Sequence, residues 1–395
     1  MPPPSVGVVR FLHTSDWHLG RSFHQVGLLP AQGLFLDHLV ETVRSQGLDA
    51  VLVSGDIYDR ALPGPDAVAL LDDTLERLVD TGAQVVISSG NHDSAVRLGF
   101  ASGLLERAGV HVRTGLSDLT RPVQIGDVQV YPIPYLEPLV VADPLEAAER
   151  THAGVLRAAV SRIEAASPAG APRIVMAHAF VGAGITSESE RDITVGGVSA
   201  VGTNVFQGFT YAALGHLHGC QQVAEGQHYS GSPVAMSFGE ANHRKGSLLV
   251  EVTAGTARVE RIDAPVLRPL AVLSGDLDDL LAQDRFAAAE SAWCQVTLTD
   301  PVRPLGAMDR IRRRFPHTLE LRFAPRGAAP AVRSYAARVQ APSAQEVCCA
   351  FLEHVRGGYP ATLQERALLG EAIESARVEH AMVADEGQAG IAGVA

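Results

Sequence analysis

Cysteine, lysine and long apolar runs are scarce in this 395-residue sequence. Its four cysteines, Cys220, Cys294, Cys348 and Cys349, form no paired metal-ligand spacing and no disulfide framework, so a reducing cytoplasm is expected. No run of about 18 or more apolar residues occurs, which leaves no candidate for a membrane-spanning helix. The stretch from Met1 to Val9 is Pro-rich and short, without the basic segment and apolar run of a secretory signal. Lys245 is the single lysine. Beside the wealth of Ala and Gly, that reads as the codon bias of a GC-rich genome and carries no functional weight.

What is present bounds the answer from the other side. Apolar residues make up 46% of the chain, ample for a large core, and the length predicts two or three domains. A net charge of −12 argues against a generally basic DNA-coating protein. The charge is unevenly spread, however: from Pro301 to Gln340 nine arginines face two acids, Asp309 and Glu320.

Over the first two-thirds of the chain, short β-rich runs alternate with amphipathic helical stretches. Val8–Leu12, Ala50–Val53 and Gln84–Ile87 read as strands, followed in turn by helical stretches over Leu34–Val43, Asp66–Val79 and Ser94–Arg107. Further strands are predicted at Val128–Ile133, Ile174–Met176, Tyr211–Leu214 and Ser247–Val252. Such alternation predicts an α/β domain with a largely buried sheet. The Gly- and Ser-rich segment from Val181 to Phe209 reads as a long functional loop. Pro265 and Pro269 punctuate a linker. Beyond it, Arg268–Gln340 reads as a small α/β unit, with strands Leu270–Leu273, Trp293–Leu298 and Leu319–Phe323 and helices Leu277–Ala282 and Gly306–Phe315. The last part is helical: Ser343 with Glu346, and Thr362 with Glu365, spell two capping boxes. Gly357 and Gly358 between them supply a stop and Pro360 a start, and after Met382 a frayed polar tail is expected.

Chemistry concentrates at the strand ends. Asp16-Trp17-His18 follows the first strand, Gly55-Asp56 the second and Gly90-Asn91-His92-Asp93 the third. His178 follows Ile174–Met176, and Gly215-His216-Leu217-His218 follows the strand at Tyr211. In open α/β sheets ligands gather beyond the carboxyl ends of the strands, so all five clusters should converge on one rim. Carboxylate, amide and imidazole donors without thiolate suit Mn, Fe or Zn in a two-metal site rather than a structural zinc. A single-residue gap, as in Asp16-x-His18 or His216-x-His218, puts both side chains on one face of an extended segment. The glycines at 55, 90 and 215 are expected to let the backbone turn sharply. A lone Asp-x-His is usually accidental, whereas five clusters in order, each at a strand end, are not. His13, His24, His228 and His243 read as structural or surface residues.

This order of motifs resembles the calcineurin-like metallophosphoesterase superfamily. Phe11–Gly20 (FLHTSDWHLG), Ser54–Asp59 (SGDIYD), Gly90–Asp93 (GNHD) and Leu214–His218 (LGHLH) resemble, within it, the SbcD family, the nuclease subunits of bacterial SbcCD complexes. Gly231-Ser232-Pro233 and Ser237-Phe238-Gly239-Glu240 fit that family too. The resemblance implies an α/β calcineurin-like sandwich over residues 1–265, a small α/β DNA-capping domain over 266–340, and helices over 341–395 that bind a partner ATPase. It implies that Asp16, His18 and His218 hold one divalent ion, Asn91, His178 and His216 the other, and that Asp56 bridges them, with Mn2+ as the metal. His92 would protonate the leaving sugar oxygen, although the position also suits a histidine that only positions Asn91. Asp93 would orient a neighbouring histidine from behind the ligands. Asp59 stands where some relatives carry histidine and receives no role.

The activity implied is that of a DNA exonuclease and endonuclease acting with an SbcC-type ATPase on DNA ends and hairpins. The chain has no Gly-x-x-x-x-Gly-Lys-Ser/Thr loop, so ATP would be handled by that partner. A homodimer through helices between Asp66 and Arg107, completing a heterotetramer with the ATPase, is expected as well. Arg312, Arg313 and Arg314 could neutralise DNA phosphates or form an ordinary solvated helix face. The superfamily's shared ligands leave open a small-molecule phosphodiesterase, or a DNA-binding scaffold for the ATPase with little activity.

Overall fold

The computed structural model describes residues 7–167, 170–182, 184–191, 200–326, 343–356 and 360–384. They fall into two compact units, the first ending at Leu267 and the second running from Arg268 to Val383. The strands of the first unit are β1 (Val9–Thr14), β2 (Ser22–Phe23), β3 (Val26–Gly27), β4 (Ala50–Ser54), β5 (Gln84–Ser88), β6 (Val110–Arg113) and β7 (Val123–Ile125). They continue with β8 (Val128–Pro132), β9 (Arg173–His178), β10 (Tyr211–Gly215), β11 (Gln221–Ala224), β12 (Gln227–Tyr229), β13 (Gly246–Thr253) and β14 (Thr256–Asp263).

The sandwich that the resemblance implies is found: two sheets stand where the alternation by itself predicted one buried sheet. Their orders are β14-β13-β1-β4-β5-β6 and β11-β12-β10-β9-β8-β7. β1, β4, β5 and β6 run parallel, as do β8, β9, β10 and β12. Antiparallel strands complete every edge except that of β6. Side chains alternate between the two faces of each strand: Ala50 and Leu52 of β4 enter the core between the sheets, while Val51 and Val53 enter the core under the helices. Burial of both faces is why β4 and β5 read as unbroken apolar runs. Helices α1 (Leu29–Gln46) and α2 (Pro65–Val79) cover the outer face of the first sheet. Next come α3 (Ala95–Leu98) and α4 (Ser102–Leu105), and then α5 (Pro138–Leu145) and α6 (His152–Ala166), which cover the outer face of the second sheet.

The continuous helical stretch expected over residues 94–107 is broken instead into α3, α4 and a 3-10 turn. Ala101 adopts a left-handed φ of 59° between the pieces, a conformation that stops an α-helix. Helices α5 and α6, and strand β14, had no counterpart in the sequence reading.

The second unit holds a parallel sheet of β15 (Leu270–Gly275), β16 (Trp293–Leu298) and β17 (Thr318–Phe323). Helices α7 (Leu277–Ala282) and α8 (Ala307–Arg314) pack on it through Leu277, Leu280, Ile311 and Phe315. Helices α9 (Ala344–Val355) and α10 (Leu363–Ala384) follow, both in the second unit apart from the last residue of α10. Thr362 and Glu365 close a reciprocal box: the Thr362 amide donates to Glu365 Oε2 at 2.8 Å, and the Glu365 amide to Thr362 Oγ1 at 3.3 Å. At Ser343 the Glu346 amide donates to Ser343 Oγ at 3.3 Å, and that hydroxyl donates to Glu346 Oε2 at 3.3 Å. The expected Gly357–Gly358 stop and the polar tail beyond 384 lie outside the described residues. Among the described residues, no helix is long and apolar enough to cross a membrane.

Candidate metal centre

The parallel strands of both sheets end at one place. Asp16 and His18 follow β1, Asp56 follows β4, and Asn91 and His92 follow β5, while His178 ends β9 and His216 and His218 follow β10. Donor atoms of Asp16, His18 and His218 lie within 4.8 Å of one another, as do those of Asp16, Asp56 and His178. His178 Nε2 is 2.9 Å from Asn91 Oδ1 and 3.3 Å from Asp56 Oδ2, and His18 Nε2 is 3.4 Å from the same Asp56 oxygen. The His216 ring lies 5.4 Å from that of His178, and the His218 ring 5.1 Å from that of His18. All seven side chains are buried.

The reason the pairs share a site differs from the expected one. Asp16, His18, Asp56 and His216 have φ values of 55°, 46°, 50° and 103°. Left-handed turns, not an extended segment, bring their side chains inward. Non-glycine residues hold such conformations only where their surroundings over-determine them. Here the loops after β1 and β4 zip together, the Asp16, His18 and Leu19 amides donating to the Gly55, Asp56 and Ile57 carbonyls at 2.9 to 3.1 Å. Between the two ligands Trp17 is wholly buried and donates Nε1–H to Thr14 Oγ1 at 2.9 Å. Gln32 of α1 donates to the Trp17 and His18 carbonyls. Of the three glycines, only Gly55 serves a left-handed turn, at φ 82°. Gly90 and Gly215 are needed for close approach instead. A Cβ on Gly90 would fall 2.7 Å from Asp56 Cγ, and one on Gly215 would fall 2.9 Å from His178 Nδ1.

Electrostatics follow from the burial. It pushes His18 down to about 3, and lifts Asp16, with the Asp56 charge adding to it, to about 6. Burial works against the Asp56 carboxylate too, yet the His178 and His92 imidazoles hold it well below the usual range. Asp56 in turn outweighs burial at His178 and lifts it to about 9. Neutral His18 therefore offers lone pairs in a dry site, and neither of its ring nitrogens has a hydrogen-bond partner. Such orphaned nitrogens beside buried carboxylates are what a divalent cation would satisfy. The residues fit a pair of such ions.

Residues around the seven are placed as follows. His92 is half-buried; its amide donates to Asp56 Oδ1 at 2.8 Å, and its Nδ1 donates to the Asp59 carbonyl at 2.8 Å. Among the described residues, Asp93 makes no hydrogen bond or ion pair to a histidine side chain: its carboxylate accepts the amides of Ile57, Tyr58 and Gly90 at 2.9 to 3.1 Å, pinning the Asp56 loop to the Asn91 loop. Asp59 lies 3.2 Å from Arg21 and 3.6 Å from His18 Nδ1. In the second unit Arg312 and Arg313 are exposed, Arg312 donating to the Thr318 carbonyl at 3.2 Å, and Arg314 is engaged by Glu290 at 2.9 Å and by the Leu280 carbonyl at 3.0 Å. Sequence reasoning missed Ser189, Glu190, Arg191 and Lys245, and gave Glu240 no role in the site. The Glu190 carboxylate accepts the His218 amide at 2.7 Å, and Arg191 donates to the Asn91 carbonyl at 3.0 Å. The one available signal was the lone lysine itself.

Fold and site together define a calcineurin-like phosphoesterase: the family of that description matches residues 9–220. A second family, described as Type 5 capsule protein repressor C-terminal domain, matches residues 266–356. The SbcD chain of the SbcCD nuclease from Staphylococcus saprophyticus is 31% identical over 318 residues, covering 79% of this chain and 84% of the relative. The chain belongs to the SbcD family of calcineurin-like phosphoesterases, and it is an enzyme of that class. Among solved structures, TT1561 of Thermus thermophilus is similar at a TM-score of 0.38 and 12% identity, over 65% of this chain and 99% of that one. A dimetal phosphatase from Danio rerio is similar at 0.36 and 12% identity, with the same coverage.

Proposed function

We propose that the chain is a two-metal DNA nuclease, cutting as exonuclease and endonuclease beside an SbcC-type ATPase at DNA ends and hairpins during repair and recombination. The observation that carries the reading is the convergence of seven buried oxygen and imidazole donors from two sheets, in a chain whose relative belongs to a nuclease. Asp16, His18 and His218 would hold one divalent ion and Asn91, His178 and His216 the other, with Asp56 shared; Mn2+ is the ion we assign. When bound, two such ions supply Lewis acidity and lower the pKa of water.

The chain's own residues orient and move protons. The Asp59 carbonyl can only accept, so His92 keeps a proton on Nδ1, and only as imidazolium, with a second proton on Nε2, would it deliver that Nε2 proton to the leaving oxygen. Asp93 holds the Asp56 and Asn91 loops in mutual register. Exposed Arg313 on α8 suits a phosphate contact, as does exposed Arg312 beyond its one bond to the Thr318 carbonyl, while Arg314 is held by Glu290 and the Leu280 carbonyl. Leu62, Phe100 and Leu104 are exposed at 72%, 80% and 66%, which supports a homodimer through this stretch. Exposed Phe351, Leu363 and Leu368 on and beside α9 and α10 support docking of the ATPase, to give a heterotetramer in the cytoplasm.

The test is Mn2+-dependent cleavage of linear and hairpin-ended DNA by the full chain, with and without the co-expressed ATPase. Asp56→Ala and His92→Ala serve as controls. Intact DNA under every condition, with hydrolysis of a nucleotide ester, would make this a small-molecule phosphodiesterase. Cleavage unaffected by Asp56→Ala would overturn the metal assignment.

A further inference from the structure

The single lysine lies buried behind the metal centre. Lys245 Nζ donates to the His218 carbonyl and to Ser232 Oγ, each at 2.9 Å, and forms a close ion pair with Glu240 Oε2. Both partners of that pair are buried. The other carboxylate oxygen, Oε1, accepts the Ser189 hydroxyl, and Ser237 Oγ at 3.1 Å. Ser189 Oγ lies 2.6 Å from His218 Nδ1.

Proton counting gives this chain of bonds a direction. An ammonium has only protons to give, and the carboxylate paired with it has only lone pairs to receive them. Ser189 has one hydroxyl proton, and Glu240 takes it; Ser187 Oγ, 2.9 Å from Ser189 Oγ, has its own proton to donate to that bond. Towards His218 the serine therefore has only a lone pair, so the proton of the imidazole must sit on Nδ1. Nε2 is then left bare on a residue that groups with Asp16 and His18. We propose that Ser189, Glu240 and Lys245 are positioning residues that fix His218 in its Nδ1–H tautomer and so hold its Nε2 lone pair on the first metal. Metal-bound histidines are commonly set in this way by a partner on the other nitrogen.

Two further bonds hold the serine in place. Its carbonyl accepts Arg21 at 3.0 Å, and its neighbour Glu190 accepts the His218 amide. Removing Lys245 leaves Glu240 buried without its cation, and the direction of the hydrogen-bond chain is no longer imposed.

This inference rests on the reading of His218 as a ligand, and the experiment separates the two. In the full-length protein, the histidine tautomers are read from long-range 15N–1H NMR spectra, and Mn2+ affinity by isothermal titration. Wild type should show His218 as Nδ1–H. Ser189→Ala and Lys245→Met should mix its tautomers and weaken one Mn2+ by about 10–100-fold, the usual effect of losing such a partner, while the second ion binds as before. Lys245→Arg should restore both. If His218→Ala loses one ion while Ser189→Ala and Lys245→Met bind both normally, the positioning role is wrong and the ligand role stands. If His218→Ala itself binds both ions normally, the ligand reading fails and this inference with it. An Nε2–H tautomer in the metal-free wild type overturns the inference outright.

Discussion

Gly90→Ala should disable the metal centre without replacing any residue proposed as a ligand. An ideal Cβ at Gly90 lies 2.7 Å from Asp56 Cγ, with a carboxylate oxygen and the Asp56 amide nitrogen nearer still. Carbon atoms in contact sit about 3.5–4.0 Å apart, so Asp56 and its backbone must withdraw by roughly 1 Å. They cannot do so freely. Asp56 Oδ1 accepts the His92 amide at 2.8 Å, and the Gly90 amide is tied to Asp93 at 2.9 Å. Overpacking of this kind costs about 1–3 kcal/mol of stability, and a displacement of about 1 Å at a reacting centre can cost about 100-fold in rate. Urea unfolding, Mn2+ titration and DNA cleavage would measure the three consequences. Gly103→Ala is the control, because nothing lies within 4 Å of a Cβ there. A Gly90→Ala protein with wild-type metal affinity and cleavage would refute the argument that close packing sets Asp56.

Arg313→Ala should weaken DNA binding and lower its salt slope by about 1, whereas Arg314→Ala should instead cost about 1 kcal/mol of stability by removing its pair with exposed Glu290 and its bond to the Leu280 carbonyl; filter binding against salt and thermal melts separate the two. Burial, with the His228 imidazole nearby, pushes His13 down to about 3. The unfolded chain then binds the extra proton between about pH 6.5 and pH 3, so stability falls as pH drops through that window, by up to about 1.4 kcal/mol per pH unit. In the metal-free protein His13→Gln should flatten that slope between about pH 4 and 6, and an unchanged slope in urea titrations would count against a neutral buried His13. Stripping metal with EDTA should lower the melting temperature, since a ligand at about 100 times its Kd adds about 2.7 kcal/mol; differential scanning calorimetry with and without Mn2+ would show it.

The strand-end ligands were legible because a parallel sheet leaves its side-chain chemistry at one rim, and each cluster sits immediately after an apolar run. What lies between Asp16 and His18 was not. Two-residue periodicity presumes extended backbone, and φ values of 55° and 46° leave no mark on residue type when the residues are not glycine. Helix α5 was hidden by Pro144 inside it, a residue that argues against a helix. The support of His218 was invisible for another reason: Ser189 and Glu240 are 51 residues apart, and only the fold brings them together. Arg314 shows the same limit. A charge run cannot reveal which of its members meets an acid 24 residues away.

The division of ligands between the sheets has a consequence for the fold. Asp16, His18, Asp56 and Asn91 hang from the first sheet, and His178, His216 and His218 from the second. On the proposed assignment neither ion is held from one sheet alone. Each would join both, at the end where the parallel strands terminate. The polypeptide already crosses this seam without metal. Ser54 Oγ donates to the Ala213 carbonyl at 2.9 Å, His178 Nδ1 to the Ser54 carbonyl at 3.0 Å, and the His216 amide to both oxygens of Asp16 at 3.1 and 3.2 Å. These bonds tie together loops that contain four left-handed residues, each of which costs about 1–3 kcal/mol where it is not over-determined. The seam therefore combines local strain with cross-sheet bonding, and metal binding would act on the same bonds that hold the sheets in register. A change that loosens the seam should then reduce affinity for both ions together, whereas a change confined to one ligand's support, as behind His218, should reduce it for one.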